Sequence, residues 1–280
     1  MTEILFLNQN VTSNCKFTES NSADAALLAL NVREAGDIAR RFYGGTYKSW
    51  DKGPGNPVTE ADIAIDEFLK QKLLTARPDY GWLSEETADS PARLSRERVF
   101  VVDPIDGTYG FLKHRPEFTI VAAVVENGRP VCGAIYNPIT DEMFEAEKGK
   151  GATCNGKRLQ VSDRPGFDHM RLLAEKKLSD PARWTAPWPE TMNHETRASV
   201  AYRMALVAAG RYDAMVSLTH KSDWDIAAAD LIVREAGGLC TTRAGEAFLY
   251  NGGKTDHESV ICAAPVLHAQ LLQRMNQLKF

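Results

Sequence analysis

"VFVVDPIDGTYGFLKHRPEF", Val99 to Phe118, drives an apolar run into two aspartates, Asp103 and Asp106, and follows them at once with Gly107 and Thr108. Asp-Pro and Asp-Gly are both turn dipeptides, so a strand end and a polar turn account for the pattern in its simplest form. Two carboxylates held close together, however, repel unless protons or cations intervene. Hard divalent ions such as Mg²⁺ take oxygen ligands and commonly combine a few carboxylates with substrate phosphate. The stretch is a turn or a metal site, and the rest of the chain decides which.

Downstream, Asn127-Gly128 and Asn155-Gly156 are hairpin signals inside a β-rich segment, so residues 98–162 read as an antiparallel meander with its first strand over 98–102. Upstream, apolar residues at helical spacing predict a helix from Ala23 to about Tyr43, after a polar, irregular arm over 1–22. Gly and Pro mark a loop over 51–62, where Asp62 opens a second helix, and "YGWLSEET" (80–87) is a strand running into Glu85 and Glu86. After Asp163 the character changes to alternating strands and helices: "MRLLAE", a helix over 195–213, "AMVSL", a helix opening at "DWD", strands "GLCTT" and "SVICAA", and a helix over 264–276. The expected division is an arm over 1–22, an α+β lobe over 23–163 and an α/β lobe over 164–280.

A 280-residue chain of net charge −4 gives no reason to expect a nucleic-acid polymer as partner, and no long Lys/Arg run appears. An anionic substrate is met locally, by metal ions or helix ends. The five cysteines are scattered and odd in number, without a CxxC pair, so buried free thiols in a reducing compartment are expected. No stretch approaches transmembrane length, and "ILFL" (4–7) lacks the basic flank of a signal peptide. A cytoplasmic enzyme without a membrane partner is the simplest reading.

Four acidic sites share one context: Asp62, Glu85-Glu86, Asp103/Asp106 and Asp225 each stand where an element begins or ends. Carboxylates so placed can converge at one end of a sheet. With "NPVTEAD" (56–62), "LSEE" (83–86), "DPIDGT" (103–108), "GKGATCNGKRLQVS" (149–162) and "WDIAAADLIVREAGG" (224–238) in this order, the chain resembles the inositol monophosphatase superfamily of Mg²⁺-dependent, lithium-sensitive phosphatases. The resemblance runs from about residue 23 to the C-terminus. It implies an α/β (α+β) fold, the layered αβαβα sandwich of the inositol monophosphatase and fructose-1,6-bisphosphatase type.

The resemblance also implies roles. Glu85 and Asp103 would bind a first Mg²⁺ with the carbonyl of Ile105, and Asp103 would bridge to a second ion held by Asp106 and Asp225. A third would sit near Glu85 and Asp62. The amides of Gly107 and Thr108 would hold phosphate, and Thr108, hydrogen-bonded to Asp62, would position the attacking water; Asp62, Thr108 and Glu85 are the implied catalytic residues. Two metals ~3.5–4 Å apart stabilise the attacking and leaving oxygens of an in-line displacement, and phosphoryl transfer then needs no Cys or Ser nucleophile. Glu86 reads as a neighbour rather than a ligand, Asp66 as part of a solvated helix face, the six histidines as ordinary polar residues, and Trp224 as packing behind Asp225.

"LSEE", "FLKHRPEFTIVAAVVENG" and "LYNG" (249–252) are similar to the bacterial 3′(2′),5′-bisphosphate nucleotidase branch. Inositol phosphatases place a glutamate seven or eight residues before the last metal aspartate; here Ser217 and Leu218 stand in that region. Arg203, or a weaker candidate Lys221, would hold a second phosphate, while a solvated helix residue is the equal alternative for Arg203. "DGTYGF" and "ASVAY" depart from both branches near the substrate pocket. The favoured reaction is hydrolysis of adenosine 3′,5′-bisphosphate, a by-product of sulfate assimilation, to AMP and phosphate. An inositol-1-phosphatase or other small sugar-phosphate phosphatase is the runner-up, histidinol phosphatase third, and a dead phosphatase scaffold that binds a phosphate ligand is the reading from another class. Homodimers are common in the family, but the sequence shows no interface.

Overall fold

Val99 and Val101 point to one side of their strand and Phe100, Val102 and Ile105 to the other, and both sides are buried. A strand covered on both faces reads as a continuous apolar run, not as an alternation. This strand, Arg98–Asp106, lies second in a seven-stranded sheet. It pairs in parallel with Gly81–Ser84 and antiparallel with Thr119–Glu126, and the meander continues through Arg129–Asn137, Glu142–Glu147, Gly151–Cys154 and Lys157–Arg158. The computed structural model describes residues 3–53 and 55–279, with side chains from Ser20 onward except Ser179.

Two helices, α1 (Glu3–Phe42) and α2 (Glu60–Ala76), cover the face carrying Phe100 and Val102. Two more, α4 (Val200–Ala208) and α5 (Asp223–Glu235), cover the face carrying Val99 and Val101; the single-turn α3 (Thr108–Leu112) follows the strand itself. Beyond α4 and α5 lies a five-stranded sheet in the order Asn193–Glu195, Arg171–Ala174, Ala214–Ser217, Val260–Ala263, Leu239–Thr241. Helix α6 (Pro265–Met275) packs on its outer face. The layers are therefore helix, sheet, helix, sheet, helix, with three apolar clusters between them. The second sheet begins after residue 163, yet α4 and α5 belong to the core of both sheets.

Two elements differ from the sequence pattern. Helix α1 starts at Glu3, where a loose arm over 1–22 is expected. That segment lacks apolar periodicity, but the chain has no Gly before Gly36 and no Pro before Pro54, so nothing local breaks a helix. Its end is tied to the sheet: Arg98 Nη2 donates to Asn21 Oδ1 (2.8 Å), and Arg98 Nη1 to Asp24 Oδ2 (2.7 Å). Helix α4 is shorter than the expected 195–213, because Ser199 caps it and Asn193–Glu195 is a strand. Cys132, Cys154, Cys240 and Cys262 are buried free thiols; the Cys15 side chain lies outside the described residues.

Candidate active site

The strand Arg98–Asp106 breaks register with its neighbour between Asp103 and Asp106. The irregularity lets both aspartates approach one point although they are three residues apart. The chain then turns through Gly107, whose φ of +93° is left-handed. A Cβ there would lie 2.9 Å from Ser199 N and 3.0 Å from Glu117 O, so only glycine fits. Thr108 opens α3 directly after it.

Two helix starts bring further carboxylates in, by the same local device. Thr59 caps α2, and Asp62, three residues on, accepts from Thr59 N at 2.8 Å. The other Asp62 oxygen faces Thr108 Oγ1 at 3.2 Å. In α5 the reciprocal pair is Ser222 and Asp225, with Ser222 N donating to Asp225 Oδ2 at 2.8 Å. In both capping boxes the N3 residue is an aspartate, so each helix start fixes one oxygen and leaves the other for the site.

Asp106 is held differently. Its Oδ2 accepts from Ser199 Oγ (2.5 Å) and Ala201 N (2.6 Å), and its Oδ1 from Val200 N (3.2 Å). The carboxylate thus docks on the N-terminus of α4, where free amides and the helix dipole favour negative charge. Sequence reading missed Ser199; its position three residues before Tyr202, whose amide donates to it, is the N-cap signal that marks it.

One carboxylate oxygen each of Asp103, Asp106 and Asp225 lies within 4.8 Å of the others. Asp103 is 1% exposed, and its Oδ1 has no hydrogen-bond partner. Burial, then the charges of Glu85, Asp106 and Asp225, push the Asp103 carboxyl well above the usual range. Burial and the Asp106 charge raise Asp225 to about 7, and burial raises Asp106 despite its hydrogen bonds. An unpartnered buried oxygen among three repelling carboxylates is the donor set of a hard cation. These residues fit Mg²⁺.

Glu85 belongs to the same electrostatic cluster, and its side chain accepts from Lys52 Nζ at 2.8 Å. Lys52 also reaches Glu86 (2.7 Å), whose carboxyl burial raises to about 7. The Ile105 carbonyl lies 3.0 Å from Thr108 Oγ1, so the one hydroxyl proton serves either that carbonyl or Asp62. Burial raises Asp62 to about 6 against the hydrogen bonds of Thr59 and Thr108.

The two residues expected to meet a second phosphate are placed differently. Arg203, on α4, is 4% exposed, with Nη1 3.6 Å from Glu175 Oε1 and Nε donating to Ser199 O. Its geometry is that of a buried ion-pair partner rather than a surface phosphate contact, because α4 is covered on all sides between the two sheets. Lys221 stands at the rim, donating to Thr219 Oγ1 (2.8 Å) and His220 O (3.0 Å). Burial lowers its pKa, and the Asp225, Arg203, Glu175 and Asp106 charges all act on it.

Asp66 is a correction. It is buried, not solvated: it accepts from Thr87 Oγ1 (2.5 Å) and from Ser84 Oγ, pinning the loop that carries Glu85. Its i,i+4 spacing from Asp62 is the signal, since it puts both on one helix face. Trp224 packs on the core between the sheets. His257, read as an ordinary polar residue, lies 2.7 Å from Asp223 Oδ1 at the start of α5.

Residues 20–279 match the inositol monophosphatase family. The chain is 34% identical over 235 residues to an inositol-1-monophosphatase of Mesorhizobium japonicum, covering 81% of this chain and 85% of that protein. It is 31% identical over 260 residues to the Nus factor SuhB of Pasteurella multocida, covering 87% and 92%. Among solved structures, the extragenic suppressor protein suhB from Bartonella henselae superposes with a TM-score of 0.82 at 29% identity, covering 91% of this chain and 99% of that one. An inositol monophosphatase from Thermotoga maritima superposes with a TM-score of 0.77 at 27% identity, covering 89% and 94%. The chain belongs to the inositol monophosphatase family and is a metal-dependent phosphoric monoester hydrolase.

Proposed function

We propose that this hydrolase acts on a small phosphomonoester whose organic part carries a second phosphate, with adenosine 3′,5′-bisphosphate as the representative substrate and AMP and phosphate as products. Mg²⁺, as two ions with a third more weakly held, would be bound by Glu85, Asp103, Asp106, Asp225 and the Ile105 carbonyl. When bound, the metal supplies charge neutralisation and Lewis acidity toward phosphate oxygens and water.

The chain's own groups do the rest. The amides of Gly107 and Thr108 stand at the open start of α3 and hold the scissile phosphate. Thr108 orients the attacking water through its hydroxyl. Asp62, which Thr108 Oγ1 meets at 3.2 Å, receives through Thr108 the proton that water gives up. The water oxygen bonds to phosphorus, the ester P–O bond breaks, and the leaving oxygen takes a proton from solvent water. Asp106, at the strand end docked on the start of α4, and Asp225, in the first turn of α5, line the same space.

The observation that carries the substrate reading is Lys221. It stands one residue before Ser222, whose amide donates to Asp225 Oδ2, and its Nζ donates to Thr219 Oγ1 at 2.8 Å, so a cation lies on the path that a second anionic group takes away from the carboxylates. The second reading is an inositol-1-phosphatase, favoured by the names of the Mesorhizobium japonicum relative and of a Rhizobium meliloti relative 35% identical over 221 residues. Phosphate release from adenosine 3′,5′-bisphosphate, adenosine 3′-monophosphate, inositol 1-phosphate and histidinol phosphate separates the two. The first reading requires the bisphosphate to have the highest kcat/KM. A higher value for inositol 1-phosphate replaces it with the second and leaves the metal chemistry standing.

A further inference from the structure

Glu175 follows the strand Arg171–Ala174 directly and meets Arg203 of α4, the helix on whose start Asp106 docks. The Glu175 carboxylate accepts from Ser217 Oγ and lies 3.5 Å from Thr219 Oγ1 and 3.6 Å from Arg203 Nη1. The Arg203 charge and the Ser217 hydrogen bond outweigh burial and keep this carboxyl ionised, below its ordinary range. Its negative charge is therefore largely satisfied from the Arg203 side.

Glu175 and Thr219 also form a wall of a cavity of about 430 Å³. The remaining lining includes Lys176, Lys177, Arg183 and Leu218. Two lysines and an arginine thus share the lining with Glu175, which already has a buried guanidinium 3.6 Å away. The volume is within the range of small-ligand sites. The cavity is joined to the catalytic carboxylates by a short relay of residues. Arg203 Nη1 lies 3.6 Å from Glu175 while its Nε donates to Ser199 O, and Ser199 Oγ donates to Asp106 Oδ2 at 2.5 Å; on the other side Lys221 Nζ donates to Thr219 Oγ1 at 2.8 Å. Lys176, Lys177 and Arg183 disfavour a metal ion as occupant, while Leu178 and Leu218 offer apolar surface for an organic framework.

We propose that this cavity is the subsite for the second, uncleaved phosphate of the substrate, held by Lys177 and Arg183, with the organic part passing over Thr219 and Leu218. The assignment rests on the reading that the substrate carries two phosphates. It gives Arg203 a positioning role: the buried guanidinium holds Glu175 as the wall between the metal carboxylates and the cavity. A remote phosphate bound there supplies binding energy that orients the scissile one.

The test is steady-state kinetics of the full chain in saturating Mg²⁺, with adenosine 3′,5′-bisphosphate and p-nitrophenyl phosphate compared in wild type, Lys177→Glu, Arg183→Glu and Lys177→Ala. The quantity read is the ratio of kcat/KM for the bisphosphate to that for the monoester. Each charge reversal should lower it at least about tenfold, mainly through KM, as expected for loss of a charge-assisted contact to phosphate. Lys177→Ala, which removes a charge without adding one, should lower it in the same direction by less. A wild-type preference for the bisphosphate that none of the three variants changes overturns the subsite and leaves the substrate reading intact. A wild type that shows no such preference overturns the substrate reading and the subsite with it.

Discussion

Replacing Asp103 by Asn separates the two things its charge does, which are to repel the neighbouring carboxylates and to bind a cation. Oxygens of Asp103, Asp106 and Asp225 lie within 4.8 Å of one another. A pair of full charges at that separation repels by ~3 kcal/mol at an effective dielectric near 20. In chelator the amide removes two such repulsions, of which protonation of the raised carboxyls already relieves part, leaving a gain of about 3 kcal/mol. Part of the gain, about 1–2 kcal/mol, is lost to burying an amide whose polar atoms are incompletely paired. The net expectation is a metal-free variant more stable by roughly 1–2 kcal/mol, which at this chain length is a melting temperature higher by a few degrees. In Mg²⁺ the order reverses. A ligand at 100 times its Kd stabilises by about 2.7 kcal/mol, and the variant forfeits that. Thermal melts in chelator and in saturating Mg²⁺, with phosphate release measured in parallel, read both effects. The variant should melt above wild type without metal, below it with metal, and show no measurable turnover. A variant that melts below wild type in chelator and still gains stability from Mg²⁺, or one that turns over near normally, refutes the reasoning.

Thr108→Ala should lower kcat by roughly 10²-fold, with a smaller change in KM, because the hydroxyl acts on the attacking water rather than on bound substrate; a change confined to KM contradicts its role. Asp225 is raised to about 7 by burial and its neighbours, so in the metal-free protein it adds stability in acid that is lost as the pH rises through about 7. Mg²⁺ competes with that proton, so the Mg²⁺-induced rise in melting temperature should be larger at about pH 8 than at about pH 6, and an equal rise contradicts this. Burial alone would raise Asp213, but hydrogen bonds from Arg171 hold it down at about 2. Its contribution of about 2 kcal/mol is present above the ordinary carboxylate pKa and lost as pH falls toward about 2, so Asp213→Asn should destabilise the protein at neutral pH and hardly at all near pH 2 in chemical denaturation.

The features legible in the sequence are those with a local cause. The opening strand is visible as an apolar run, and both capping aspartates stand three residues after a Thr or Ser. The strand's extension to Asp106 was not visible, because Asp-Pro and Asp-Gly are turn dipeptides wherever no neighbouring strand holds them. The early part of α1 lacks the periodicity by which a helix is recognised, and the Arg98 contacts to Asn21 and Asp24 join residues far apart in the chain. Arg203 was visible as a cation on a helix, but its direction depends on α4 being enclosed by two sheets. Glu175 gave no signal at all. It meets Ser217 and Arg203 only because strands Arg171–Ala174 and Ala214–Ser217 pair in parallel, which no local pattern encodes.

Anomalous diffraction from crystals grown with Mn²⁺ in place of Mg²⁺ locates the metal independently of any substrate. The account predicts a peak within ligand distance of Asp103, Asp106 and Asp225, and a second on the Glu85 side of Asp103 that shares its carboxylate. Peaks elsewhere, with the three aspartates left uncoordinated at saturating Mn²⁺, would contradict it.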